Sequence, residues 1–388
     1  MRTQVAIIGA GPAGLFLAHL LHRVGIAAAV LERHSRNYVE QRVRAGVLEQ
    51  ATVDLMRALG IGERIEREGL VHTGINLTLG GELFHIDLQQ LTGNAVTIYG
   101  QQEVMKDLYD AAQAREIPVL FEATEVALHD FDGAQAFVTY SQNGALHRVD
   151  CDFIAGCDGF HGVSRRSVPA DLLTIEQRTF PFSWLGILAD VPPANDELIY
   201  ASHDNGFALA SMRSPTRSRY YLQCAPDEDI GAWSDERFWE ELGTRLGPVA
   251  AASIARGPFI ERSIAPVRSF RAEPMRHGNL FLAGDSAHIV PPIGAKGLNL
   301  AVTDVAILAD VFAEFYRSGS QRALDTYGER ALARVRKADA FSRNFLELTH
   351  KFSEGPSRAV QRARLEQLLQ SPEAQRQFAR DYVGAPLG

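Results

Sequence analysis

The residues of this chain best suited to chemistry begin with a glycine-rich turn after an apolar segment. Gly9-Ala10-Gly11-Pro12-Ala13-Gly14 follows the β-branched residues 4–8 and runs into leucines at helical spacing. In such a turn the first glycine permits the tight bend, the second lets backbone amides approach a pyrophosphate, and the third lets helix and strand pack closely. Glu32 ends the next apolar segment, where an acid is expected to hydrogen-bond a ribose hydroxyl. The sequence therefore predicts a dinucleotide site and disfavours a structural turn without a ligand.

A second apolar segment, far downstream, narrows the choice of dinucleotide. Residues 280–283 run into Gly284-Asp285, and a loop with Pro291-Pro292 leads to a long helical pattern. Nicotinamide and flavin enzymes share the first turn, whereas a cofactor contacted from both ends of the chain favours FAD. A helix starting near Gly294 and Gly297 would bring its positive end to the flavin. A turn or helix-cap role is the alternative for Asp285.

These motifs require a fold that brings distant segments together. Helical patterns cover 50–59, 101–115 and 296–370, a strand is expected over 147–155, and aromatic and β-branched texture from about 178 to 270 indicates an antiparallel sheet. The order predicts an α/β protein with a Rossmann-like FAD-binding domain built from discontinuous segments. That domain is assigned to 1–72, 98–177 and 268–300, an inserted mixed β-sheet substrate-binding domain to 73–97 and 178–267, and a helical C-terminal region to 301–388.

Composition sets the class of protein. The 388 residues are 46% hydrophobic and 22% charged, with a net charge of −8 that argues against nucleic acid or an anionic membrane as the main partner. The three cysteines have no metal-ligand spacing and form no even disulfide framework, which is typical of a reducing compartment. We expect a cytoplasmic protein with no metal site and no membrane span.

Over almost its whole length the chain resembles the single-component, FAD-dependent aromatic hydroxylases. The resemblance rests on the glycine turn and on the segments 42–50, 158–162, 218–221, 284–285, 291–299 and 382–384. It implies a monooxygenase that takes electrons from NADPH and hydroxylates 4-hydroxybenzoate beside its phenol, giving protocatechuate. The implied oxygen donor is a flavin C4a-hydroperoxide formed with O2, and a homodimer is the family expectation.

The resemblance also extends the two nucleotide sites. Further FAD contacts are implied for Arg42, Val43, Arg44, Ala45, Gly46, Val47, Gln101, Asp158, Asp285, Leu298 and Asn299. Since only one dinucleotide fingerprint is present, NADPH is expected to bind transiently in a surface groove. Its candidate residues are Arg33, His34, Tyr38, Arg42, Arg44, His161, Arg165 and Arg268, which suit phosphates but have solvated surface roles as the alternative.

For the aromatic acid, the resemblance implies a carboxylate site and a phenol site. Ser211, Arg213 and Tyr221 would hold the carboxylate, with Met212 between them and Arg219 near the flavin. Tyr200 and Tyr382 would contact and deprotonate the phenol, His72 would end their proton relay, and the carbonyl of Pro292 would accept from the substrate hydroxyl. A phenolate makes the ortho carbon more nucleophilic, and a closed pocket keeps water out. Half-buried strand tyrosines and a structural histidine are the alternative roles.

Ile293 departs from the family pattern, which leads us to expect a small hydroxyl residue there. It leaves open the preference among ring substituents, so 3-hydroxybenzoate and protocatechuate are alternative substrates. A different FAD-dependent oxidoreductase, such as a halogenase or reductase, and a non-catalytic nucleotide sensor are further alternatives. The segment 182–187 does not fit the tryptophan-rich W-x-W-x-I-P motif of halogenases.

Overall fold

The computed structural model describes residues 1–41, 46–133 and 135–387, so the predicted contacts of Arg42, Val43, Arg44 and Ala45 lie outside the described residues. A six-stranded sheet forms the first layer. Its spatial order is Arg276–His277, Leu280–Leu282, Phe153–Gly156, Val5–Ile8, Ala28–Leu31 and Val119–Leu120. Only the first pair in this order is antiparallel. Val5–Ile8 is buried at all four positions, as its apolar sequence predicts.

An eight-stranded sheet forms the second layer. Its spatial order is His288–Ile289, Phe259–Glu273, Thr174–Ala189, Arg217–Cys224, Gly206–Ser214, Ile199–His203, Gly74–Leu79 and Glu82–Asp87. Ile199–His203 and Gly74–Leu79 run parallel, and the other neighbours are antiparallel. Because side chains alternate between the faces of a strand, one face of this sheet packs on the helix Asp235–Leu246 and the other is free to line a cavity.

Two small antiparallel sheets and thirteen α-helices complete the described fold. The small sheets are Ala145–Asp150 with Phe137–Gln142 and Thr124–His129, and Val47–Glu49 with Val96–Ile98 and Leu70–His72. The helices are Pro12–Arg23, Arg36–Gln41, Gln50–Ala58, Glu63–Glu68, Leu88–Thr92, Gln101–Ala114, Ser164–Ser167, Asp235–Leu246, Pro248–Ala251, Lys296–Ser318, Gln321–Thr349, Arg358–Gln370 and Pro372–Val383. Short 3₁₀ turns cover Ala170–Leu172, Ile230–Ala232 and Gly284–Ser286.

The single strand predicted over 147–155 is wrong. It is two strands in different sheets, because the backbone changes hydrogen-bond partners between them. The Cys151 amide donates to the Ala136 carbonyl oxygen at 3.0 Å, on the side of the small sheet, whereas the Asp152 amide donates to Gln4 at 3.0 Å, beside the six-stranded sheet. The long helical pattern is also interrupted, at Gly319, whose φ of +71° ends one helix before the next begins.

The proposed domain boundaries stay a prediction. The strand Thr174–Ala189 crosses the limit set at 177, the strand Phe259–Glu273 crosses the one at 267, and the helix Lys296–Ser318 crosses the one at 300. Among the residues that the structure describes, no helix has both the length and the apolar character that crossing a membrane requires. The same residues hold no group of His, Cys, Asp or Glu side chains that could bind a metal ion.

His19 gives the fold a pH dependence. It is fully buried, with Nε2 2.9 Å from the Leu108 carbonyl oxygen and Nδ1 2.9 Å from the Arg115 guanidinium. Burial lowers the pKa of the imidazole to about 4, below the ordinary value of 6.5. Between these two pKa values the unfolded chain therefore binds more protons than the folded protein. As the pH decreases through this range, the free energy of unfolding decreases by up to about 1.4 kcal/mol per pH unit.

We expect His19→Gln to show a weaker loss of stability on acidification than the wild type. The glutamine amide can still donate to the Leu108 carbonyl but does not titrate. Urea unfolding from neutral pH to about pH 5 measures the effect, and the wild type's advantage over the variant should shrink as the pH falls. Parallel pH profiles for the two proteins would contradict the lowered pKa of His19.

Candidate functional site

One cavity of about 1190 Å³ lies between the two large sheets. Its walls include the glycine turn after Val5–Ile8, the start of the helix Lys296–Ser318, and one face of the eight-stranded sheet. Residues from positions 8 to 301 meet there, so the cavity depends on long-range folding and not on one local motif. Such a cavity is large enough for an extended dinucleotide together with a small aromatic ligand.

The three glycines of the first turn have different reasons to be glycine. Gly9 has a φ of +98°, and a Cβ on Gly14 would lie 1.9 Å from the Gly9 carbonyl oxygen, so both are required by the fold. Gly11 has an ordinary φ of −74°, and no described atom lies within 4 Å of the position a Cβ would take. Gly11 lines the cavity at the start of the helix Pro12–Arg23. The space beside it fits a ligand's phosphate at a helix N-terminus.

A second helix N-terminus faces the same cavity. Gly294 and Ala295, with φ values of +74° and +54°, turn the proline loop into the helix Lys296–Ser318. Gly297 lines the cavity, and again no described atom lies within 4 Å of where its Cβ would be. Two helix N-termini, each with a glycine beside open space, therefore point into one cavity. This arrangement favours a ligand that carries negative charge at two places.

Most of the predicted FAD residues line this cavity. Those that do are Gly9, Gly11, Ala13, Glu32, Val47, Gln101, Asp158, Asp285 and Leu298. The Glu32 carboxylate accepts from the amides of Ala10 at 3.0 Å and His34 at 2.9 Å, which ties the glycine turn to the neighbouring strand. Asp158 Oδ2 accepts from the amide and hydroxyl of Ser164, while its buried Oδ1 has no partner among the described residues. Burial raises the pKa of Asp158.

Gly14, Gly46 and Asn299 lie behind the cavity wall. A Cβ on Gly46 would lie 1.9 Å from the Tyr99 carbonyl oxygen, so this glycine permits close backbone packing. The Asn299 amide donates to the carbonyls of Val47 and Ala295 and accepts from the Glu49 amide and the Thr52 hydroxyl. With its hydrogen-bonding capacity used by the protein, Asn299 ties the second helix N-terminus to the strand Val47–Glu49.

The candidate NADPH residues separate into two groups. Arg33, His34 and His161 line the cavity, as does Arg166, which the sequence prediction omitted. Tyr38 stacks on His34 with ring centroids 4.1 Å apart and is not part of the lining. Arg165 and Arg268 also lie outside the lining. Arg165 donates to the Ser286 and Phe160 carbonyls, and Arg268 lies 4.2 Å above the Phe160 ring, which gives both cations roles within the fold.

A lateral row of paired residues forms the sheet side of the cavity. Tyr200 pairs with Leu209, Leu209 with Tyr221, and Gly186 with both Tyr221 and Ser263 across four strand interfaces. All but Gly186 line the cavity. A Cβ on Gly186 would lie 2.8 Å from the Tyr221 ring, so this glycine lets the ring lie across its strand. The strand register thus brings residues far apart in sequence onto one wall.

Arg213 presents a partly buried cation to this wall. Its Nη1 donates to the Ser211 hydroxyl at 3.3 Å and to the Met212 carbonyl at 3.0 Å, while its buried Nε has no partner among the described residues. Burial lowers the pKa of the guanidinium. Arg219, one strand away, instead forms an ion pair with Glu261 at 3.0 Å and lies 5.2 Å from the centre of the Tyr221 ring. Of these two cations, Arg213 is the one suited to a ligand's carboxylate.

Two phenols form the opposite end of the aromatic site. The hydroxyl oxygens of Tyr200 and Tyr382 are 2.8 Å apart, and both side chains are buried. Burial raises the pKa of both phenols, and their mutual hydrogen bond lowers that of Tyr200 and raises that of Tyr382. Tyr200 lines the cavity and Tyr382 stands behind it.

Of the remaining predicted residues, only Pro292 lines the cavity among the described residues. His72 is 1% exposed, its ring nitrogens contact no described donor or acceptor, and burial lowers its pKa to about 4. Pro292 lines the cavity, whereas Met212 and Ile293 are buried in the apolar core and do not. The Ile293 side chain instead belongs to the apolar cluster that also holds Tyr200 and Tyr382.

Sequence reasoning missed two features of the site. Lys296, 3% exposed, forms a 2.6 Å ion pair with Glu49 and donates to the Tyr382 carbonyl at 2.7 Å, so it ties the tyrosine pair to the second helix N-terminus. Trp184 lines the cavity beside Tyr221, with ring centroids 5.2 Å apart. The alternation of side chains along a strand could have identified Trp184, because it lies on the same face of the strand as Gly186.

A protein-family model described as the FAD binding domain matches residues 2–342. The p-hydroxybenzoate hydroxylase of Acinetobacter baylyi is 49% identical over 389 residues, covering 100% of this chain and 96% of that protein. The chain belongs to the FAD-dependent aromatic hydroxylase family. FAD is accordingly the dinucleotide of this hydroxylase.

Other similarities agree with this family and fold. The 6-methylpretetramide 4-monooxygenase of Streptomyces rimosus is 28% identical over 87% of this hydroxylase and 82% of that protein. The solved p-nitrophenol 4-monooxygenase of Pseudomonas putida superposes with a TM-score of 0.78 over 97% of both chains. A probable FAD-dependent monooxygenase of Pseudomonas aeruginosa reaches 0.80 over 96% of this chain and all of that one. Each solved structure is 20% identical, so these two similarities establish only the fold.

The glycine geometry predicts opposite behaviour for two alanine variants. Gly11→Ala should leave the melting temperature of the apoprotein unchanged and raise the FAD dissociation constant about tenfold or more, because its Cβ enters only ligand space. Gly14→Ala should lower the stability of the apoprotein by about 1–3 kcal/mol, because its Cβ meets backbone. Thermal unfolding and FAD titration separate the two effects. Equal FAD affinity of Gly11→Ala and the wild type would contradict the assignment of that space.

Proposed function

We propose that this hydroxylase uses NADPH and O2 to convert 4-hydroxybenzoate to protocatechuate. The observation that carries the proposal is Arg213, a partly buried guanidinium without an ion-pair partner among the described residues, on a wall that also presents the Tyr200 phenol. An acid with its carboxylate and hydroxyl at opposite ends of one ring matches such a wall. The name of the 49% identical relative supports the same substrate.

Bound FAD, once reduced, supplies the activation of O2, and the side chains of the cavity prepare the ring. Arg213, with the hydroxyls of Ser211 and Tyr221, would hold the carboxylate by charge-assisted hydrogen bonds. At the other end, Tyr200 would accept the phenol's proton toward Tyr382, and the Pro292 carbonyl would orient the hydroxyl. Removing that proton increases electron density at the ortho carbon, which is the position that must attack an electrophilic oxygen.

The nucleotide that delivers electrons is assigned to the cationic rim of the cavity. Arg33, His34, His161 and Arg166 all line it, and no acidic side chain forms an ion pair with any of them in the described part of the chain. A guanidinium binds a phosphate in a bidentate manner, which favours NADPH, with its 2′-phosphate, over NADH. Arg165 and Arg268, which contact backbone and aromatic groups, would support this rim and not bind the phosphate.

Oxidation of NADPH in the presence of a hydroxybenzoate panel tests the proposal. The purified holoenzyme should oxidise NADPH rapidly with 4-hydroxybenzoate, more slowly with NADH, and form protocatechuate with little hydrogen peroxide. Faster coupled turnover of 3-hydroxybenzoate or protocatechuate would replace the substrate and keep the reaction class. Absence of any hydroxylated product across the panel would reject the proposed function.

Arg213→Gln should weaken the binding of 4-hydroxybenzoate roughly 30- to 1000-fold, because the carboxylate loses the cation assigned to it. The wild type should prefer the acid strongly to neutral 4-hydroxybenzamide, and the variant should lose that preference. Titration of the flavin absorbance change measures both dissociation constants. Arg217→Gln, which removes an exposed cation from the next strand, is the matched control and should bind like the wild type. A retained preference for the acid in Arg213→Gln would contradict the carboxylate site.

Tyr200→Phe should bind 4-hydroxybenzoate but hydroxylate it about 100-fold more slowly or worse, with the consumed O2 released as hydrogen peroxide. The variant loses the hydroxyl that contacts Tyr382 and keeps the aromatic ring that lines the cavity. Tyr220→Phe is the control, since Tyr220 is equally buried on the other face of the same sheet. The measurement is the ratio of protocatechuate to NADPH consumed, and full coupling in Tyr200→Phe would contradict its role.

A further inference from the structure

Trp184 forms part of the cavity wall, and a single polar contact fixes its indole. The indole Nε1–H donates to Nε2 of His350 at 2.8 Å, within a group that is fully buried. The other two tryptophans donate elsewhere: Trp233 to the Glu228 carboxylate at 2.8 Å and Trp239 to the Gly257 carbonyl at 3.2 Å. The cavity tryptophan is therefore the one whose orientation depends on a histidine.

His350 is itself held from several directions. It directly follows the helix Gln321–Thr349, and its ring stacks on Phe207 at 4.1 Å and on Phe182 at 4.7 Å between centroids. The Gln361 amide donates to its carbonyl oxygen at 2.6 Å. Burial lowers the pKa of the imidazole well below its ordinary value, so the ring is neutral in the folded protein.

The hydrogen bonds determine which ring nitrogen carries the proton. Because Nε2 accepts from Trp184, a neutral ring must carry its proton on Nδ1. Nδ1 lies 3.0 Å from the Thr349 hydroxyl oxygen, and that hydroxyl donates to the Phe345 carbonyl at 2.8 Å. Each donor in the series thus faces an acceptor, from the indole through the imidazole and the threonine to the helix backbone. Nothing in this series can be reversed without leaving a buried N–H unpaired.

We propose that His350 is a positioning residue for the aromatic acid, acting through the orientation of Trp184. The indole lies 5.2 Å from the Tyr221 ring and lines the same wall, so its tilt sets the room available to the ring of the substrate. Without its acceptor, the indole N–H would be buried and unpaired and would turn to find another partner. This inference rests on the proposed function for the identity of the substrate, but the orientation of Trp184 can be measured without turnover.

Two variants with the same amide group distinguish a positioning role of His350 from a role that needs only a buried side chain. In His350→Gln, the amide reaches the place of Nε2 and can accept from the indole, whereas His350→Asn retains only the contact near Nδ1. His350→Phe retains the stacked ring and loses both contacts. Selective ¹⁵N labelling of tryptophan gives one indole N–H signal per residue in the holoenzyme, and Trp184→Phe assigns the signal of Trp184.

The expected result is a shift of the Trp184 indole signal in His350→Asn and His350→Phe, with a signal close to that of the wild type in His350→Gln. The signals of Trp233 and Trp239 should stay in place in all three. With 4-hydroxybenzoate, KM should rise roughly 3- to 10-fold in the Asn and Phe variants and less than about 3-fold in the Gln variant, with FAD affinity unchanged.

If neither the Asn nor the Phe variant folds, Thr349→Val carries the test, because it removes the hydroxyl that lies 3.0 Å from Nδ1 and retains the volume of the side chain. It should shift the Trp184 signal and raise KM in the same direction. Equal KM increases in the Gln and Asn variants, or an unmoved Trp184 signal in the Phe variant, would overturn the inference. If the wild type does not hydroxylate 4-hydroxybenzoate, the proposed function fails while the indole signals still decide whether His350 orients Trp184.

Discussion

A guanidinium removed from water must be compensated either by protein groups or by a bound anion. Arg213 donates two hydrogen bonds within its own strand and forms no ion pair among the described residues, whereas Arg219 beside it forms an ion pair with Glu261. The alternation of side chains along the strands places both cations on the cavity face, but Glu261 lies within ion-pair distance of Arg219 alone among these two. In the proposed function, this charge would favour an anion in the cavity, and the Tyr200 phenol on the same wall would favour an anion that also carries a hydroxyl.

The cavity is built from two different kinds of surface, which suits the proposed binding of FAD and an aromatic acid side by side. On one side, helix N-termini beside Gly11 and Gly297 supply amides and positive dipole ends without any bulky side chain. On the other side, a flat sheet supplies side chains at fixed lateral spacing. Asn299 and Lys296 join the two, since they connect the second helix start to the strand Val47–Glu49 and to Tyr382. In the proposed function, the positions of cofactor and substrate would therefore be coupled through the backbone of one loop.

The sequence predicted the features that depend on neighbouring residues and missed those that depend on which strands pair and in what register. The glycine turn could be interpreted from six residues because each glycine acts on its immediate neighbours. The row that joins Tyr200, Tyr221 and Gly186 depends on the register of four strands, which no local pattern specifies. The strand prediction at 147–155 failed for the same reason, because adjacent residues bond to different sheets. The candidate substrate residues were predicted from the resemblance to one family, because the sequence alone does not give the strand register that brings them together.

The tyrosine pair imposes a constraint on how a proton can leave the ring. Burial raises the pKa of both phenols, so neither holds a negative charge for long at neutral pH. Charge is easier to place on Tyr200, because Tyr382 can then donate to it. His72, whose pKa is lowered to about 4, cannot retain a proton at neutral pH, and the Glu197 carboxylate raises the pKa of both His72 and Tyr382. In the proposed function, Tyr200 and Tyr382 would pass on the proton of the substrate phenol without storing it, which would leave the phenolate to react. His72 makes no hydrogen bond to either tyrosine among the described residues.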